Sequence, residues 1–260
     1  MINAFVLYGT PEQPNQKIFE IGLELFDALN IKDYSIHQRK LNRLGYGINK
    51  VINEEGLIGT FDNEPFSFEI SHNDKGRLFY FSQSVRLVGA YNAVKFGGFS
   101  SDELPVELAD HYIKRILEQV GCQYGFSYQS RNSFKAINYV NDIGVDSFNP
   151  YDAPMKWQRK FIYIKDDTEY SRHMRIVYQR NYLTENHLAL TIEGCPLGDW
   201  IRQDERRGNL SSLNDDVYLW QVAPEHLQDV NLQCGRAGLL ISFVEPKRYD
   251  IKKTGPGLRG

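Results

Sequence analysis

The chain has little of what marks the more easily recognised protein classes. Its 260 residues include three cysteines, Cys122, Cys195 and Cys234, with no CxxC spacing and no histidine pair at ligand spacing beside them. That excludes a disulfide framework, offers no zinc signature, and predicts buried free thiols in a reducing compartment. No apolar run reaches 18 residues, and the short run ending at Tyr8 has no basic flank. Neither a membrane helix nor a signal peptide is therefore expected, and the chain is read as cytoplasmic. Charge of one sign is missing too: 30 basic against 33 acidic residues leave −3, a poor match to the phosphate attraction a dedicated nucleic-acid binder needs. Methionine and tryptophan number three each, and no segment is of low complexity.

What is present is aromatic. Sixteen tyrosines and fifteen phenylalanines, with 42% hydrophobic and 24% charged residues overall, describe a globular protein with an aromatic, branched-aliphatic core and substantial strand content. Ala4 to Tyr8 reads as a buried strand. Thr10-Pro11 supplies an N-cap and a first-turn proline for a helix to about Leu29. Lys17, Glu20, Glu24 and Asp27 form the polar stripe of that helix, and Ile18, Phe19, Ile21, Leu25, Phe26 and Leu29 cover most of the rest. Phe66, Phe68 and Ile70 alternate with polar residues, and His72–Gly76 has the turn chemistry to return the chain through Arg77–Phe81 as an antiparallel hairpin. Ala109, Tyr112, Ile113, Ile116, Leu117 and Val120 recur at helical spacing before Gly121, and a strand follows near Gln123–Tyr128. Ser130 is placed to cap a short helix through Phe134, Ile137 and Val140.

Asn149-Pro150-Tyr151-Asp152-Ala153-Pro154 breaks regular structure and is the expected boundary. This divides the chain into an N-terminal subdomain, 1–149, a C-terminal subdomain, 150–244, and a basic tail, 245–260, with five basic and two acidic residues. Beyond the boundary we expect a strand near Arg159–Ile164, an extended piece near Arg175–Tyr178, and short helices opened by Thr184 and by Pro196. A strand, helix, strand unit then covers Val217–Val222, Pro224–Cys234 and Leu239–Val244. The fold class is α+β, a mixed or antiparallel sheet with flanking helices. Pro105–Gly121 faintly repeats Pro224–Gly238, which would make the two subdomains similar, although proline near a helix start and glycine after its end also recur by chance.

Chemistry-bearing patterns are sparse. The pattern G-x-G-x-x-G at Gly255, Gly257 and Gly260 has no helix after it to present amides to a phosphate. Gly45-Tyr46-Gly47 reads as a loop or bulge. Ser127 lacks the second glycine of a nucleophile elbow. Of six histidines, none stands within four residues of another; His111 and His226 read as surface residues of their helices. Asp250 and Lys252 resemble a fragment of a metal-dependent nuclease site but sit in the tail, where preorganisation fails. Acidic groups at Asp166, Asp167 and Glu169, and at Asp215 and Asp216, fit either solvated loops or contacts to a basic partner.

From Tyr178 onward the chain contains Asn181-Tyr182-Leu183-Thr184, His187-Leu188, Leu197-Gly198-Asp199-Trp200-Ile201, Arg207-Gly208-Asn209-Leu210, Leu219-Trp220-Gln221-Val222 and Gly238-Leu239-Leu240. This series resembles bacterial immunity proteins, the antitoxins encoded beside polymorphic toxins of contact-dependent and type VI secretion systems, over a quarter to a third of the chain. Its members are fold-setting: Trp200 and Trp220 as core, Gly208 and Gly238 for backbone freedom, Thr184 as an N-cap. The resemblance implies a non-enzymatic toxin inhibitor that binds a cognate effector protein, such as a nuclease, through protein–protein interaction. It implies no cofactor, no metal and no direct nucleic-acid or membrane contact. The expected toxin-facing residues are Asp166, Asp167, Glu169, Asp215 and Asp216. The competing expectations are an enzyme whose site is assembled from distant residues, such as a metal-dependent hydrolase, and a regulatory or scaffold module.

Overall fold

A computed structural model of the chain describes residues 1–11, 15–42, 47–62, 65–86, 92–141, 149–161 and 166–245. The glycine pattern at 255–260, Asp250 and Lys252 lie outside these, as does the basic tail after Glu245. The chain divides into two units, Met1–Val140 and Asn141–Gly260, and the fold is α+β. Among the described residues every paired strand is antiparallel to its neighbours, and no helix is long and apolar enough to cross a membrane.

The first unit is built on seven strands: β1 (Ile2–Tyr8), β2 (Ser35–Leu41), β3 (Gly47–Ile52), β4 (Ser67–Asp74), β5 (Arg77–Ser84), β6 (Ala93–Ser100) and β7 (Tyr124–Ser130). Their order is β7-β1-β6-β5-β4-β2-β3. The β4–β5 hairpin forms as its alternation predicts. Its turn is tighter than the five-residue signal, because Lys75 (φ 47°) and Gly76 (φ 83°) alone take left-handed conformations. Helix α1 (Gln16–Ala28) presents Lys17, Glu20, Glu24 and Asp27 to solvent and buries Ile18, Phe19, Ile21, Leu25 and Phe26. Gly22 lets it approach the sheet, since a Cβ there would stand 2.6 Å from the Phe81 ring. Helix α2 (Glu54–Ile58) is a single short segment, and α3 (Val106–Gln119) packs beside α1, its Tyr112 hydroxyl donating to the Glu24 carbonyl at 3.3 Å. Helix α4 (Ser133–Val140) lies on the other face, with Ile137 beside Gly97.

Two expected caps are replaced. Helix α1 starts at Gln16, capped by Asn15, whose side chain accepts from the amides of Lys17 and Ile18. The Thr10 amide instead donates to the Asn92 carbonyl. For α4 the cap is Asn132, accepting from the Lys135 amide at 3.0 Å, while Ser130 accepts from the Asn132 amide one step earlier. In both cases an asparagine nearer the first turn outcompetes the hydroxyl residue.

The second unit contains α5 (Pro154–Phe161), β8 (Arg180–Leu183), α6 (Glu185–Leu188), β9 (Thr191–Ile192), β10 (Cys195–Pro196), α7 (Leu197–Arg202), β11 (Asn209–Ser212), β12 (Tyr218–Gln221) and α8 (Leu227–Arg236). Strands β11-β12-β8 form a sheet, and β9-β10 a two-residue hairpin. The strand expected near Arg159 is not one: residues up to Phe161 continue α5, and 162–165 lie outside the described residues. Pro154 opens that helix, and the i, i+4 pair Trp157 and Phe161 is buried against Tyr170, ring centroids 5.9 and 4.3 Å away. The strand expected over Leu239–Val244 reduces to isolated bridges, Leu240 to Met174 and Phe243 to Asp152. Helix α3 is thus followed by strand β7, whereas α8 is followed by a turn. Two thiols, Cys122 and Cys234, are buried as expected, and burial pushes each up to about 12; Cys195 is half-exposed.

Candidate functional site

The residues of the second half interlock around α6, α7 and the turn between α7 and β11. Thr184 precedes α6, and its amide donates to Nδ1 of His187 at 3.2 Å. This leaves the ring proton on Nε2, which donates to the His173 carbonyl at 3.1 Å. His187 is fully buried, and burial drives its pKa down to about 4, against the raising effect of the His173 carbonyl. It is therefore neutral at pH 7, a structural strut rather than an acid or base.

A second interlock surrounds Trp200 of α7. The Arg207 guanidinium lies over the indole at 4.2 Å from the ring centroid, and its Nη1 donates to the Trp200 carbonyl at 2.8 Å. Trp200 Nε1 donates to Glu193 Oε2 at 3.1 Å, and the same oxygen stands 3.8 Å from Arg207 Nη2. Glu193 reaches this position because it occupies the β9–β10 turn with φ 52°. Trp220 Nε1 in turn donates to the Arg207 carbonyl at 2.8 Å. Gly208, at φ 103°, lets the chain enter β11: a Cβ there would meet the Gln221 carbonyl oxygen at 2.1 Å.

Two buried asparagines complete the frame. Asn181 accepts from the Tyr178 amide and donates to the Tyr178 and Trp220 carbonyls. Asn231 of α8 accepts from the Val177 amide at 2.9 Å and donates to the Val177 and Leu227 carbonyls at 2.8 and 2.9 Å. Together they satisfy backbone groups of the extended segment before β8, which has no regular ladder to do so. The buried pair Arg175 and Asp152, 3.5 Å apart, fixes the same segment from its other end.

Beside this frame lies a largely polar cleft of about 150 Å³ lined by Asp204, Arg206, Arg207, His226, Asp229, Val230 and Gln233. Asp204 accepts from the Arg206 amide at 3.0 Å and from the Arg206 guanidinium at 2.7 to 3.1 Å. Those bonds from Arg206 hold its pKa down at about 2. Both signs of charge line the cleft, a composition suited to polar recognition by a partner surface. Sequence reasoning recognised Arg207 but passed over Asp204, Arg206 and Asp229. The one local signal was an aspartate before a turn that closes at Gly208. His226, expected on the surface of its helix, is half-buried at the helix start; His111 is exposed as expected.

The five residues singled out as toxin-facing sit elsewhere in the second unit. Asp166 is exposed and caps the 3-10 turn Asp167–Arg172, accepting from the Thr168 amide at 2.9 Å. Glu169 stands 3.2 Å from Arg172 and 3.6 Å from His173. The Asp167 side chain lies outside what is described. Asp215 and Asp216 are exposed in the turn before β12, where Asn214 accepts from the amides of Asp216 and Val217. The two groups are thus carried by separate turns, and among the described residues no three His, Cys, Asp or Glu side chains gather as a metal site. No family model, curated protein or solved structure matches this chain.

Proposed function

We propose that this chain is an immunity protein that binds a cognate secreted toxin stoichiometrically in the cytoplasm and neutralises it. The observation that carries the reading is the interlock itself. Residues that carry the resemblance, spread from Asn181 to Trp220, converge through the Thr184–His187, Arg207–Trp200 and Trp220–Arg207 contacts into one frame. Such a frame holds the exposed turns around it in place, where a partner can reach them. The acidic turn residues Asp166, Asp215 and Asp216 are exposed on that unit, with half-buried Glu169 in the turn that Asp166 caps, and suit a toxin with a basic substrate face, such as a nuclease.

The test is co-expression with the product of the adjacent gene, read by pull-down and by growth. A one-to-one complex that rescues growth is the expected result. Charge reversal by Asp215→Lys with Asp216→Lys is expected to weaken that complex tenfold or more, chiefly through slower association at low salt. Absence of both toxicity and binding, or neutralisation at substoichiometric amounts, would overturn the reading.

A further inference from the structure

Strand β3 ends the sheet of the first unit: it pairs with β2 on one side, and among the described residues no strand pairs with the other. Its six residues run in continuous register with β2, from Ile36 opposite Ile52 to Leu41 opposite Gly47, without a bulge and without proline. Bulges, prolines and lysines are the usual devices that make an edge unfit for another strand, and of these β3 carries Lys50 alone, a charge that repels a basic strand and attracts an acidic one. Outward N–H and C=O groups on alternate residues are therefore presented in strand geometry.

The side chains say what would fit. Val51 is 64% exposed and Ile48 42%, and they point to opposite faces of the sheet. Strands β2 and β3 together carry Arg39, Lys40 and Lys50 and no aspartate or glutamate. The nearest carboxylates in sequence lie outside the two strands: exposed Asp33 two residues before β2, and Glu54 and Glu55 at the start of the next helix, with Glu54 accepting from the Tyr34 hydroxyl at 2.6 Å. Glu69 lies one strand further in, opposite His37. A local cluster of cations at the edge of a chain of net charge −3 disfavours pairing with a second copy, which would set like charges side by side. Nucleic acid would use the cations but neither the exposed valine and isoleucine nor the strand-spaced backbone groups.

We propose that the outer edge of β3 is a docking site for an extended acidic segment of a partner protein, which adds to the sheet as an eighth strand of this unit. Backbone hydrogen bonds hold the segment, its carboxylates meet Arg39 and Lys50, and its apolar side chains cover Ile48 and Val51. This surface is independent of the toxin-binding reading, whose acidic turns lie in the other unit.

The test uses the full chain with fluorescent peptides of alternating glutamate and valine, their lysine–valine counterparts, and an oligothymidylate. Binding is read by anisotropy and by amide hydrogen exchange. The glutamate peptide is expected to bind at least tenfold more tightly than the lysine peptide and to slow exchange specifically in Gly47–Ile52. Arg39→Glu with Lys50→Glu should reverse that preference, and the reversal also shows that the variant is folded. Equal binding of both peptides, no protection of β3, or a preference for the oligonucleotide would refute the proposal. Concentration-dependent protection of β3 in the chain alone would refute it in favour of a second copy.

Discussion

Lowering the pH should loosen the second unit through His187 before the bulk of the carboxylates titrate. In the folded chain its Nδ1 is occupied by the Thr184 amide, Nε2–H is committed to the His173 carbonyl, and burial holds its pKa at about 4. In the unfolded chain the same ring titrates near 6.5. Above about pH 6.5 neither state is protonated and the group adds no pH dependence. Between about 6.5 and 4 the unfolded state binds the proton and the folded state does not, so stability falls as the pH falls. A displacement of two to three units corresponds to about 3 kcal/mol across that window. Urea denaturation from pH 4.5 to 7.5, followed by tryptophan fluorescence, reports on this unit alone because Trp157, Trp200 and Trp220 all belong to it. The control is His187→Gln, whose side-chain oxygen can accept from the Thr184 amide as in a capping box. It should cost about 1–3 kcal/mol at pH 7 through the less well-made buried contacts, and it should lose about one proton from the pH slope. His173, whose pKa burial and Lys160 also lower, remains in both proteins and leaves a residual slope of the same sign. Equal slopes in the two proteins would refute the argument.

Replacing Asn231 by leucine should keep volume but strand the Val177 amide and carbonyl, at about 2–4 kcal/mol, read by the same fluorescence denaturation. Arg206→Gln should let the Asp204 carboxyl rise from about 2 toward its usual 3.8, visible in an NMR titration of its side-chain carboxyl carbon. An Asp204 unmoved by that substitution would show that the Arg206 amide and the Arg207 charge hold it down without the Arg206 side chain.

Much of the local structure was legible in the sequence because it rests on short-range patterns. Strand β1, the β4–β5 hairpin, α3, and the short helices after Thr184 and Pro196 follow from alternation, helical spacing or a turn signal. Strand β6 left no such mark: it is buried on both faces from Ala93 to Phe99, and its register against β1 shifts where Gly98 is inserted. The expected strand at Arg159 gave way at its start because the aromatic residues Trp157 and Phe161 pack at helical spacing against Tyr170. The expected strand over Leu239–Val244 failed because an apolar run without a partner ladder closes as a turn.

The candidate sites divide in the same way. The sequence by itself determined the aromatic core, the near-balanced charge, the helix opened by Thr184, and the cations of residues 35–52. Tertiary structure alone decided that β1 lies between β6 and β7, that Glu193, Trp200, Arg207 and Trp220 meet, and that β3 is left at the edge. Periodicities and turn signals within a few residues are encoded where they act, whereas contacts between elements, from Trp200 and Glu193, 7 residues apart, to Ile2 and Ser130, 128 apart, depend on which faces find each other once loop-closure entropy is overcome.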